Sequence, residues 1–285
     1  MNRNLFLSRS FLLSVVAGGA LLLSTGTLRA QGPHHGGPGF GGPMELMGFE
    51  GGHDGKVVKG APFSATASAD LSQTLSDGTV IHRTAQINLY RDSQGRSRRE
   101  LTTSGFGPLA ASGAPKTMVM ISDPVAGVRY MLNPGEKVAD KMPVRGKADA
   151  PDSADAFHQK MEAEQAAQIA AGTLKKESLG TQVINGISAE GTRFTKTVPA
   201  GQIGNDKAFS IVSERWYSPD LQIVVKSTHS DPQMGTTTYQ VTNIQKAEPA
   251  ASLFAVPADY TVKAGHGGHG TGGPGPDAPP PPGEE

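Results

Sequence analysis

Residues 63–75 alternate, with Gln73 the one exception, between two kinds of side chain. Phe63, Ala65, Ala67, Ala69, Leu71 and Leu75 share one parity, and Ser64, Thr66, Ser68, Asp70, Ser72 and Thr74 the other. A period of two is the signature of a strand with one covered and one wet face. Ser76-Asp77-Gly78 follows as a tight turn, its Gly suited to positive φ. The next strand, Val80 to Arg91, sets Ile81, Ala85, Ile87 and Leu89 on one side. Asp92-Ser93-Gln94-Gly95 turns the chain again, and Arg96 to Thr103 returns. Three strands joined by short turns predict an antiparallel meander.

The pattern resumes beyond a Gly- and Pro-containing stretch. Thr117–Ser122, Val128–Leu132 and Lys137–Lys141 are short strands separated by Asp123–Gly127 and Asn133-Pro134-Gly135. Asn185-Gly186 is a strong hairpin signal, linking Gln182–Ile184 to Ile187–Val198. Phe209–Tyr217, Leu221–His229 and Thr236–Ile244 complete the sheet. Ser-Asp-Pro-x-x-Gly occurs twice, at Ser122–Gly127 and Ser230–Gly235. Pro presets φ, Asp caps the turn and Gly leaves it, so one turn solution used twice accounts for the repeat.

Residues 152–171 differ. They are rich in Ala, Glu and Gln, with Asp152 or Ser153 placed to cap a helix and Gly172 placed at C′. Phe157 and Met161 stand at i, i+4 in a thin apolar stripe. The expected fold class is therefore mainly β: a curved antiparallel sheet or half barrel with one inserted helix, lying over an opening or an edge.

Gly and Pro concentrate at the ends. Residues 31–56 hold ten Gly and three Pro, and residues 264–285 hold eight Gly and six Pro. These stretches lack the apolar side chains that offset ordering entropy, so the expected domain is 57–263 between two disordered tails. Before them, Arg3 and Arg9 precede an apolar run from Phe11 to Leu23, and Ala30 offers a small residue for cleavage. Residues 1–30 read as an export signal, which places the mature protein in the periplasm or outside the cell. No later apolar run reaches 18 residues, so no membrane span is expected after cleavage.

Lys+Arg and Asp+Glu both number 26, which argues against a nucleic-acid partner held by phosphate contacts. With no cysteine, disulfides, thiolate metal sites and cysteine nucleophiles are excluded. Gly-x-Ser-x-Gly, His-Glu-x-x-His and a phosphate-binding Gly loop are all missing, and no enzyme activity or cofactor is expected. His34, His35, His266 and His269 in the tails are candidate ligands for a weakly held Cu²⁺, Ni²⁺ or Zn²⁺. Arg91, Arg96, Arg98 and Arg99 flank one turn, where they can meet an anionic group or simply water. Trp216-Tyr217 can stack on a ligand or close one end of a core.

Four blocks carry a resemblance. Tyr90–Arg96, Ser122–Gly127, Trp216–Leu221 and Ser252–Tyr260 (SLFAVPADY) resemble segments of uncharacterised secreted proteins of environmental bacteria, over about residues 60–263. In order and pattern the chain also resembles the periplasmic lipoprotein-carrier superfamily, which often ends in a segment like Leu253–Pro257. That resemblance implies a long antiparallel sheet curled into a half barrel with helices across its open side. The expected function is a binding or interaction module of the cell envelope holding an apolar ligand or lipid moiety. Ile81, Ile87, Leu89, Leu221, Ile223 and Val225 are the expected lining, with Phe157 and Met161 on the helix as cover. A filled core made by the same residues is the competing expectation. The alternative function is a structural or regulatory envelope protein acting through a partner, with Pro279–Pro282 as a polyproline contact.

Overall fold

The computed structural model describes residues 57–103, 115–143 and 151–265, the side chains of 151–158 excepted. The expected signal segment, the N-terminal tail, the C-terminal tail beyond Gly265 and the four tail histidines lie outside the described residues, while Ala264 and Gly265, expected in that tail, are described.

Twelve strands form one sheet among the described residues. The first meander is β1 (Phe63–Thr74), β2 (Val80–Arg91), β3 (Ser97–Thr103), β4 (Lys116–Asp123), β5 (Val128–Asn133) and β6 (Val138–Pro143). The helix α1 (Pro151–Ala170) separates it from the second, which is β7 (Leu174–Ile184), β8 (Ile187–Val198), β9 (Phe209–Ser218), β10 (Ile223–Asp231) and β11 (Gly235–Gln245). A 3₁₀ turn (Ala251–Phe254) and β12 (Thr261–Ala264) end the described chain. The strand order is β12-β6-β5-β4-β3-β2-β1-β11-β10-β9-β8-β7. Only the β1–β11 pairing joins the two meanders directly within the sheet.

The turns behave as their sequences require. Asn185 (φ 49°) and Gly186 (φ 81°) make a primed hairpin turn. Asp92 is buried and accepts from the backbone N–H groups of Gln94 (3.0 Å) and Arg96 (2.8 Å), which closes the β2–β3 turn. Gly95 is required there, because a Cβ would stand 2.6 Å from Val57 Cγ1. α1 ends as expected: Thr173 N–H donates to Gln168 O and Gly172 N–H to Ile169 O, both at 3.0 Å, with Gly172 at φ 71°.

Three expectations are corrected. The sheet is mixed, since β12 runs parallel to β6. Leu221 lies in the β9–β10 turn, not on a strand, and Gln222 at φ 52° precedes β10, whose register starts at Ile223. β7 begins at Leu174, eight residues before the expected start.

The sheet curls on itself. Asn185 Nδ2, at the β7–β8 turn, donates to Val241 O on β11 at 2.7 Å, three places away in strand order. Arg91, at the end of β2, donates to Leu221 O in the β9–β10 turn. Irregularities at Ser64/Thr66, Ser178/Gly180 and Val224/Lys226 bend the strands concerned. The larger core cluster gathers Ala65, Ala67, Ala69, Ile87, Leu89 and Leu101 with Ile184, Ile187, Val225, Tyr239 and Val241 on the inside of this curl.

A second cluster, Val119, Ile121, Leu132 and Ala139, is covered by Tyr130, Val256 and Tyr260. It lies on the other face. Directly opposed residues point the same way across a sheet. Ala67, Ile87, Leu101 and Met118 are opposed in turn, so Val119 faces away from the larger core. The C-terminal segment thus covers the outer face of β4–β6 and leaves the inner face of those strands uncovered by the described residues.

Candidate functional site

The inner face can be followed strand by strand through the pairing. One row reads Ala65, Leu89, Arg99, Met120, Met131, Asp140 and Lys263. The row beside it reads Phe63, Arg91, Ser97, Ser122, Arg129 and Met142. The first two or three positions of each are buried in the core or against it. Beyond β3 the same face opens. Met120, Met131 and Met142 are half-buried and Met118 is exposed. Together with Arg129, Asp140, Ala264 and Gly265, the first three line an open depression of about 520 Å³.

Side chains of two kinds meet here. The methionines offer flexible, polarizable apolar surface that adapts to irregular partners. Arg99 stands opposite Met120, Arg129 opposite Met142, and Lys263 opposite Asp140. Arg99, Arg129 and Lys263 therefore outnumber Asp140 in these two rows, and of these four Arg129 and Asp140 line the depression itself. An apolar strip edged by cations suits a ligand with an apolar body and an anionic end.

The expected lining residues are distributed as follows. Ile87, Leu89, Leu221 and Val225 are buried in the larger core, and Ile223 is packed against it. They are brought together, in contact with one another and with the small side chains of β1. Ile81 shares their face of β2 but is only half-buried and stands outside that cluster. Met161 is half-buried on α1, whose main strand contact is the edge strand β7. The side chain of Phe157 lies outside the described residues.

The arginine cluster is divided among structural tasks. The buried Arg91 guanidinium donates to Ala61 O (3.0 and 2.9 Å) and Leu221 O and lies 4.8 Å over the Phe63 ring. Burial pushes its pKa down to about 10, so it stays charged at neutral pH. Arg96 pairs with Asp92 and lies over Phe254. Arg98 pairs with Glu100 at 2.8 Å and donates to Leu253 O on the outer face. Of the four, only Arg99 stands directly opposite a methionine. Trp216 packs against the larger core, above Gly191, where a Cβ would stand 2.7 Å from the indole. Tyr217 beside it is more exposed.

The inner face also carries a polar end. Ser213 and His229 are buried, and Ser213 Oγ lies 2.7 Å from His229 Nδ1. Burial holds the imidazole below its usual range, with nearby Asp231 pulling the other way. Among the described residues no group of three or more His, Asp or Glu side chains is placed to hold a metal ion. No described helix is long and apolar enough to cross a membrane.

The methionine face was not singled out in the sequence, although a signal was present. Met118-Val119-Met120-Ile121 is apolar at both parities. Such a run says that both faces of the strand are apolar, not which one is covered.

The class of molecule defined so far is a curled, open, mainly antiparallel sheet with an uncovered apolar strip on its inner face. No family model matches the chain, and no curated protein matches it. Solved structures that it resembles include a chain of the Pseudomonas aeruginosa MucA/MucB complex, at 16% identity and TM-score 0.36, covering 72% of this chain and 59% of that one. They also include a putative outer membrane lipoprotein-sorting protein domain from Vibrio parahaemolyticus, at 11% identity and TM-score 0.25, covering 68% and 89%. A LolA-superfamily protein from Nitrosomonas europaea matches at 7% identity and TM-score 0.27, over 74% and 96%. The match spans less than two thirds of the MucA/MucB chain. Lipoprotein-sorting and LolA-superfamily proteins are thus among the structures this chain is similar to.

Proposed function

We propose that the protein is a non-catalytic binding module of the periplasm or cell exterior that holds an anionic amphiphile on the inner face of β4–β6. One observation carries this reading. The face that forms the core over β1 and β2 continues past β3 as methionines bordered by arginines, open in a depression of about 520 Å³. That volume falls within the range of small-molecule sites. The apolar chain lies across Met118, Met120, Met131 and Met142, and the anionic end meets Arg99 and Arg129. Ile87, Leu89, Leu221, Ile223 and Val225 close the inner end of the strip as its packed boundary. The sequence-derived export signal supports the location. A long-chain fatty acid bearing a fluorophore tests the reading. The native protein binds it saturably, and Met131→Asp weakens binding at least tenfold with an unchanged circular dichroism spectrum. Absence of binding by the native, monodisperse protein overturns the reading.

A further inference from the structure

Four of the nine methionines of a chain without cysteine share one face of three adjacent strands. Their thioethers are therefore the most concentrated sulfur among the described residues. Met120 and Met131 are directly opposed across β4 and β5. Met142 lies one register step from Met131 on β6, and Met118 one step from Met120 on β4. None of the four belongs to either core cluster. Met118 is 38% exposed, and the other three line the open depression.

We propose that Met118, Met120, Met131 and Met142 form a modification site for hydroperoxide oxidants, whose conversion to sulfoxides turns this apolar face polar and releases its ligand. The release rests on the binding reading above; the modification does not. A sulfur lone pair attacks the distal oxygen of the hydroperoxide. The S–O bond forms as the O–O bond breaks, and the remaining oxygen takes up the proton and leaves as water or an alcohol. The sulfur loses two electrons and the peroxide gains two. Arg99 stands opposite Met120 and Arg129 opposite Met142 in the sheet, so the residue paired with each of these methionines carries a guanidinium, a donor suited to the departing oxygen and afterwards to the sulfoxide oxygen.

The location decides what oxidation does. A sulfoxide in a core disrupts packing, because a flexible apolar group becomes polar and rigidly oriented. Here the new oxygens face water, so the fold survives while the apolar strip is lost.

The test treats the full chain with hydrogen peroxide and maps sulfoxides by peptide mass spectrometry. Met234, 51% exposed in the β10–β11 turn and away from the face, is the internal reference. The expected result is that the four face methionines oxidise in the folded protein within about tenfold of the rate at Met234, with the melting temperature little changed. The fatty-acid probe then loses at least tenfold in affinity, as it also does in Met234→Leu. With all four face methionines replaced by leucine, whatever affinity remains no longer responds to peroxide. Face methionines that stay reduced while Met234 oxidises overturn the proposal, as does undiminished binding by protein oxidised at all four. If the untreated protein binds no probe, the binding reading falls, and the modification site stands or falls on the peptide map alone.

Discussion

Arg91 and His229 show how this sheet uses polar side chains on its inner face. Arg91 is 5% exposed, yet its guanidinium meets two carbonyls and a ring, so its charge is compensated from several sides. Lysine keeps the charge but not the planar fork. Arg91→Lys should therefore lower stability by about 1–3 kcal/mol, measured by urea denaturation. His229 is held neutral by burial, whereas an unfolded chain binds that proton at about pH 6.5. The unfolded state thus takes up more protons as the solution is acidified. The stability associated with a neutral His229 is fully present above about pH 6.5 and is lost as the pH falls through the lower folded value. The melting temperature should drop between pH 7 and pH 5, and His229→Gln should flatten that drop. A slope unchanged in the variant would assign the effect to other groups.

At the scale of elements, the C-terminal segment is what makes the outer face of β4–β6 a core. Phe254 is buried, its ring lies under the Arg96 guanidinium at 5.2 Å, and Arg98 reaches Leu253 O. Phe254→Ala should cost about 3–5 kcal/mol in chemical denaturation, because it leaves a cavity and strips the ring from a partly buried cation. How far such elements could be read from sequence depends on their burial. β1 and β2 alternate because one face is in a core. β7 reads Leu-Lys-Lys-Glu-Ser-Leu-Gly-Thr at its start, and as an edge strand it buries little of this beyond Leu174. β12 is exposed along its whole length and is a strand through backbone pairing with β6 alone. Neither leaves a periodic trace. The candidate site was half legible for a related reason. The alternation of β2 puts Ile87 and Leu89 on one face, and that face is the buried one. Which stretch of that face is covered depends on where residues 246–260 cross, and no local pattern encodes that.

For the whole molecule, two meanders meet along one seam, β1 against β11. Thr66 and Thr242 touch across it through hydroxyls 3.0 Å apart, although they lie 176 residues apart in the chain. The other antiparallel neighbours in the sheet are also successive strands in the chain, mostly joined by short connections. Closing the seam therefore carries the largest loop-closure cost in the sheet, since that cost rises by about 0.6 kcal/mol with each doubling of loop length. During synthesis β1 is among the first strands to emerge and β11 among the last. One edge of β1 must wait, unpaired, until almost the entire chain is available. An unpaired edge is where strands of separate molecules join. The residues of β1 answer that hazard: Ala65, Ala67 and Ala69 give its covered face little to stick with, and Asp70 puts a charge on the other side. The small side chains that make β1 an undistinguished contributor to the core also make it a strand that can afford to be kept waiting.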